Sequence, residues 1–126
     1  MRILVTGSRE PSVGDVRLIL RELGLATREA IDKGEPVVIV HGAAPGVDTI
    51  AKRWAIRTDG VAHEPHPADW RYSGGWAGHI RNQAMVSQGA DLCLAFPGPG
   101  SRGTYDCMRR AEEAGIPVKV CGLEGS

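Results

Sequence analysis

A parallel α/β sandwich, one five-stranded sheet with helices on both faces, is the fold class this sequence predicts. Three observations carry the expectation. Five short aliphatic runs recur along the 126 residues. Segments of helical period separate them, and glycine-bearing loops follow three of the runs. Alternation of this kind implies parallel strands joined by helical crossovers.

Each element has its own signal. "RILVT" (2–6), "PVVIV" (36–40) and "DLCLAF" (91–96) are nearly continuous in aliphatics, the pattern of strands buried on both faces. "VAHE" (61–64) and "PVKVC" (117–121) are the third and fifth strands, the third being the least aliphatic. The first helix opens at "SVGD", where Ser12 and Asp15 make a capping box, and carries the stripe Val16, Ile19, Leu20, Leu23. Gly34 stops it and Pro36 opens the second strand. Val47, Ile50, Ala51 and Trp54 mark the second helix; Ile80, Ala84 and Met85 mark the third, which ends near Gly89. Met108, Ala111 and Ala114 mark the fourth, closed by "GIP" at 115–117.

Right-handed crossovers restrict the topology. The expected result is a Rossmann-like three-layer α/β/α sandwich, strand order 3-2-1-4-5, formed by residues 1–126 as a single domain. The one long connection, "PHPADWRYSGG" (65–75), is of a length that often carries function. Its aromatics Trp70 and Tyr72, with Trp76 just beyond, either pin the loop to the domain or stack on a base. Pinning is the simpler reading.

Bulk composition narrows the function. Lys+Arg and Asp+Glu number 15 each, so the net charge is zero, which argues against broad binding to nucleic acid or anionic membrane. Cys93, Cys107 and Cys121 show no CxxC spacing and read as reduced thiols, with neither a disulfide framework nor a metal site. The opening "MRILVTGSRE" turns polar too early for a signal peptide, and no apolar run reaches membrane-spanning length. A soluble cytoplasmic protein is expected.

In an open parallel sheet, ligands sit beyond the carboxyl ends of the strands where the strand order reverses. Here that is between the first and fourth strands. The residues just past them are "TGSR" (6–9) and "PGPGSRGT" (97–104), and "HGAAPGVD" (41–48) follows the second strand. A single glycine loop is only a tight turn, but three on one edge point to a shared anion site. Glycines let backbone amides turn inward, and each following helix start adds partial positive charge. Gly7, Ser8, Arg9, Gly42, Gly46, Asn82, Pro97, Gly98, Gly100, Ser101, Arg102, Gly103 and Thr104 are the expected ligand-binding residues, with phosphate the best-suited group.

Gly98, Gly100 and Gly103 spell G-x-G-x-x-G, but after the fourth strand rather than the first, and no P-loop lysine is present. A standard dehydrogenase site is therefore not expected. "WAGHIRNQAM" (76–85) puts His79, Arg81 and Asn82 in the first turns of the third helix. Arg81 opposes the helix dipole there, so it serves either a ligand or a surface ion pair. His79 reads as a solvent or capping residue. Asp48 and Asp106 follow glycine loops at helix starts, where capping is the simple role, more so for Asp48.

The ordered motifs "ILVTGSR", "VHGAAPGVD", "HPADW", "AGHIRNQAMV" and "GADLCLAFPGPGSRGTYDCMRRAEEAGIPV" resemble the YspA/cpYpsA-related branch of the SLOG superfamily over nearly the whole chain. The resemblance implies a Rossmann-like domain that binds a small nucleotide derivative such as NAD or ADP-ribose as a sensor module, with no required cofactor. It also implies an alternative: a nucleotide N-glycosidase like the LOG-type phosphoribohydrolases. Their arginine–methionine helix start is similar to Arg81 and Met85, and their PGGxGTxxE loop to residues 97–107. The glutamate of that loop falls at Cys107, so Asp106, one position earlier, is the catalytic carboxylate to expect alongside Arg81. A carboxylate stabilises the cationic sugar of such a cleavage and a thiol does not. LOG-type relatives pair through helices, which implies a possible homodimer through the second or third helix.

Overall fold

The computed structural model describes residues 1–124. Strands β1 (Arg2–Gly7), β2 (Val37–His41), β3 (Val61–Pro65), β4 (Leu92–Phe96) and β5 (Val118–Val120) form one sheet. Every neighbouring pair is parallel and the order is β3-β2-β1-β4-β5, as the sequence predicts. The helices are α1 (Val13–Asp32), α2 (Val47–Ile56), α3 (Trp70–Ser73), α4 (Ala77–Ser87) and α5 (Arg102–Glu113).

Strand alternation divides the core in two. Ile3 and Val5 of β1 join Ile39, Leu94 and Phe96 in a cluster with Ile19 and Leu23 of α1 and Val47 and Ala51 of α2. Leu4, one residue out of phase, packs with Val40, Cys93, Met85 and Val86 of α4 and Cys107 and Ala111 of α5. Consecutive aliphatic side chains at Ile3, Leu4 and Val5 satisfy both faces at once, which is why the run is continuous.

Local signals set the boundaries. The Ser12 Oγ accepts from the Asp15 amide while Asp15 accepts from the Ser12 amide, so the capping box forms. Gly34, at φ +72°, follows the end of α1. The long connection departs from expectation by folding locally. Asp69 Oδ1 accepts from the Tyr72 amide at 3.3 Å and starts α3, and a single 3-10 turn, Gly74–Trp76, leads into α4.

Gly7 and Phe96 are register partners at the ends of β1 and β4, and His41 ends β2. The loops that leave these three residues therefore emerge side by side.

Candidate functional site

These loops and the start of α4 enclose a cleft of about 490 Å³, within the range that takes a small organic ligand. Of the residues singled out in the sequence, Gly7, Ser8, Arg9, Gly42, Arg81, Asn82, Gly100, Ser101, Arg102, Gly103 and Thr104 line it. Asp48, Trp70 and His79 line it too. Gly46, Pro97, Gly98 and Asp106 do not.

Several glycines serve close approach between loops rather than a ligand. At Gly46 a Cβ would overlap the backbone of Ser8 and Arg9, and the φ of +83° is in the left-handed region. That approach lets the Val47 amide donate to the Ser8 carbonyl at 3.0 Å, locking the β1 loop onto the start of α2. At Gly42 a Cβ would overlap the Arg81 guanidinium, which instead donates through Nη1 to the Gly42 carbonyl. A Cβ at Gly98 would press on Ser8 at 3.1 Å. Gly103 is different, because nothing lies within 4 Å of where its Cβ would be.

The start of α5 is the part of the cleft best built for an anion. No side chain caps this helix. The Ser101 and Arg102 amides are spent on the Gly98 and Gly100 carbonyls at 3.2 and 2.8 Å. The amides of Gly103 and Thr104, next along the first turn, have no acceptor within the helix. Both residues line the cleft. Ser101 Oγ accepts from the Gly98 amide at 2.9 Å and holds the turn closed.

Two aspartates follow the glycine loops, and they do different things. Asp106 is 7% exposed and fully engaged. Oδ1 takes Arg109 at 2.8 Å and pairs with His79 Nδ1 at 3.2 Å; Oδ2 takes Arg110 at 2.9 Å and Asn82 at 3.0 Å. Burial raises its pKa, but these bonds, from Arg110, Asn82 and His79, outweigh burial and hold the carboxyl below its ordinary range. The expected catalytic carboxylate is thus a tie between α4 and α5. Asn82 reaches it from inside the cleft, while Asn82 Oδ1 accepts from Arg81 Nε at 2.9 Å. His79 is neither free nor a cap, being Asp106's partner.

Asp48 does not cap α2, whose N-cap is Gly46 with no side-chain bond. Its Oδ2 reaches back and accepts from the Gly42 and Ala44 amides at 3.1 and 3.2 Å, bracing the β2 loop. Its Oδ1 is buried with no hydrogen-bond partner among the described residues. Burial pushes the carboxyl up to about 6, against the pull of the two amides, Arg81 and Arg9. Arg81 is itself pulled below its ordinary value by burial, with Asp48 partly restoring it. No carboxylate is an ion-pair partner of Arg81 at contact distance among the described residues; its guanidinium donates instead to the Gly42 carbonyl and Asn82 Oδ1.

Behind the β2 loop, His41 is fully buried. The Ala43 amide donates to its Nδ1 at 3.0 Å, so its Nε2 carries the proton toward His63 Nδ1, also at 3.0 Å. Burial and the neighbouring His63 hold its pKa down at about 4. Cys107 is 0% exposed, which removes it as a nucleophile for anything in the cleft. Among the described residues no three His, Cys, Asp or Glu side chains gather as a metal site, and no helix is long and apolar enough to cross a membrane.

The model of the YspA, cpYpsA-related SLOG family (YAcAr) matches residues 1–72. The chain belongs to this family. The match covers the β1 and β2 loops, Asp48 and Trp70; α4 and α5 lie beyond it. The Gene 61 protein of Mycobacterium phage D29 is 55% identical over 86 residues, 65% of this chain and 69% of that protein. The crystal structure of TM1055, a structural genomics target, covers 93% of this chain and 71% of that one at a TM-score of 0.68 and 20% identity, so this YAcAr protein shares its fold. Family membership supports a nucleotide-related binding or processing role.

The sequence alone reads Asp48 as a cap and His79 as a solvent or capping residue. The signal for Asp48 was present: a loop of eight residues with two glycines has amides to satisfy, and Asp48 is its one carboxylate.

Proposed function

We propose that the cleft binds a small phosphorylated nucleoside derivative, with the phosphate on the Gly103 and Thr104 amides and Arg81 as the charged partner. The observation that carries this reading is an uncapped helix start sharing a cleft with a half-buried arginine that has no carboxylate of its own. Arg9 and Arg102 line the same cleft and add positive charge near the anion. The scaffold behind, fixed by Asp106 and Asn82, holds α4 and α5 at constant spacing, which suits binding and sensing.

A thermal-shift screen with nucleoside monophosphates, NAD and ADP-ribose tests it. A ligand at 100 times its dissociation constant adds about 2.7 kcal/mol of stability. Arg81→Ala should weaken that ligand about tenfold or more, the worth of a charge-assisted bond to phosphate. No stabilisation by any phosphorylated nucleoside overturns the reading.

Asp48 favours a second reading, nucleotide N-glycosidase. A carboxylate with one unpartnered oxygen beside the cleft suits a cationic sugar. The bond from C1′ to the base would break, its electron pair leaving with the base. Water would add at C1′, Asp48, with a pKa pushed up to about 6, would take the water proton, and that proton would pass to the ring nitrogen of the departing base. Release of free base on incubation, lost in Asp48→Asn and retained in Asp106→Asn, would establish it.

A further inference from the structure

We infer that Trp70, faced by Arg9, is a nucleobase platform at the mouth of the cleft, so that the ligand is recognised by its base as well as its phosphate. This rests on the reading of the cleft as a phosphate site.

A tryptophan that pins a loop is covered by what it pins. Trp70 is 52% exposed, and neither α3 nor the 3-10 turn after it contains a buried residue. Pinning therefore fails as an account of Trp70, which instead lines the cleft. Its ring is nonetheless oriented. The edge atom Cη2 lies 3.6 Å from where a Cβ of Gly78 would stand, so the bare backbone at the start of α4 forms a shelf for it. Asp69 fixes the backbone on the other side by capping α3.

Arg9 stands over the ring, its guanidinium carbon 6.0 Å from the ring centroid. No acidic partner pairs with Arg9 among the described residues. An exposed cation–π contact at that distance is weak, and a flat heterocycle stacked on indole is the stronger partner. Guanidinium also stacks on bases, so Arg9 supplies either a second plate or a contact to the phosphate once a base has taken its place. Trp76 and Tyr72 are more exposed than Trp70 and do not line the cleft, so they serve as internal controls.

Adenosine 5′-monophosphate and ribose 5-phosphate share the phosphate and sugar and differ only in the base. Calorimetric titration of wild type, Trp70→Ala, Trp70→Phe and Trp76→Ala with both compounds separates the two claims. The expected result is that wild type prefers the nucleotide about tenfold, within what stacking one base contributes. Trp70→Ala should lose that preference while still binding ribose 5-phosphate. Trp70→Phe should keep most of it, and Trp76→Ala all of it. Equal binding of the two compounds to wild type, or equal weakening of both by Trp70→Ala, overturns the platform and leaves the phosphate site standing. Binding of neither overturns both. A single-stranded oligonucleotide binding more tightly than the nucleotide, with steep salt dependence, would replace the small ligand with nucleic acid and also overturn the proposal.

Discussion

The loop after β2 and the loop after β4 are built from similar material and closed in different ways. Both are rich in glycine, both lead into a helix, and both are followed by a buried aspartate. After β2 the aspartate itself clasps the loop, spending one oxygen on two amides and leaving the other alone. After β4 a serine hydroxyl clasps the loop, and the aspartate, one turn further on, is free to collect two arginines, an asparagine and a histidine. The same residue type is saturated in one place and keeps an unpartnered oxygen in the other, and what decides is the supply of donors within reach.

The sharpest way to break this contrast is Asp106→Ala. It strands the charges of Arg109 and Arg110 and the amide of Asn82, and should cost about 2–4 kcal/mol in a urea titration. A loss under 1 kcal/mol would mean that the four partners do not depend on it.

Asp48→Asn should act through pH. The Asp48 carboxyl titrates near 6 in the fold against 3.8 ordinarily, so its ionised form destabilises the native state. That penalty is absent below about pH 4, develops between 4 and 6, and is complete above. The stability of the variant relative to wild type should therefore rise across that window by about 2–3 kcal/mol. His41 runs the other way. Held neutral down to about 4, it makes both proteins less stable as pH falls below 6.5, and it cancels from their difference. A flat difference between pH 4 and 7 would show that Asp48 is not desolvated. The smallest effect belongs to Ser101→Ala, which leaves one Gly98 amide unclasped and should cost about 1 kcal/mol by the same titration.

Strand order and helix boundaries were legible because they depend on patterns along the chain. β1 is aliphatic on both faces, and Ser12 and Asp15 are three residues apart; neither needs a neighbour to be read. The convergence of the three loops followed from topology alone. What was not legible depends on who meets whom across the fold. Asp106 is placed much as a cap, and only the packing of α4 on α5 delivers Asn82 and His79 to it. The glycines at 42, 46 and 98 look like a phosphate cradle, yet the groups that crowd them are Arg81 and the β1 loop. Trp70 offered two meanings, and its 52% exposure weighs against pinning.

The most direct test is a backbone-amide NMR titration with adenosine 5′-monophosphate. The account predicts that the Gly103 and Thr104 amides move most, with Ser8, Arg9 and Gly42 following and the far side of α1 unmoved. Saturable shifts centred elsewhere, for instance on the outer face of α5 around Arg109, would contradict it.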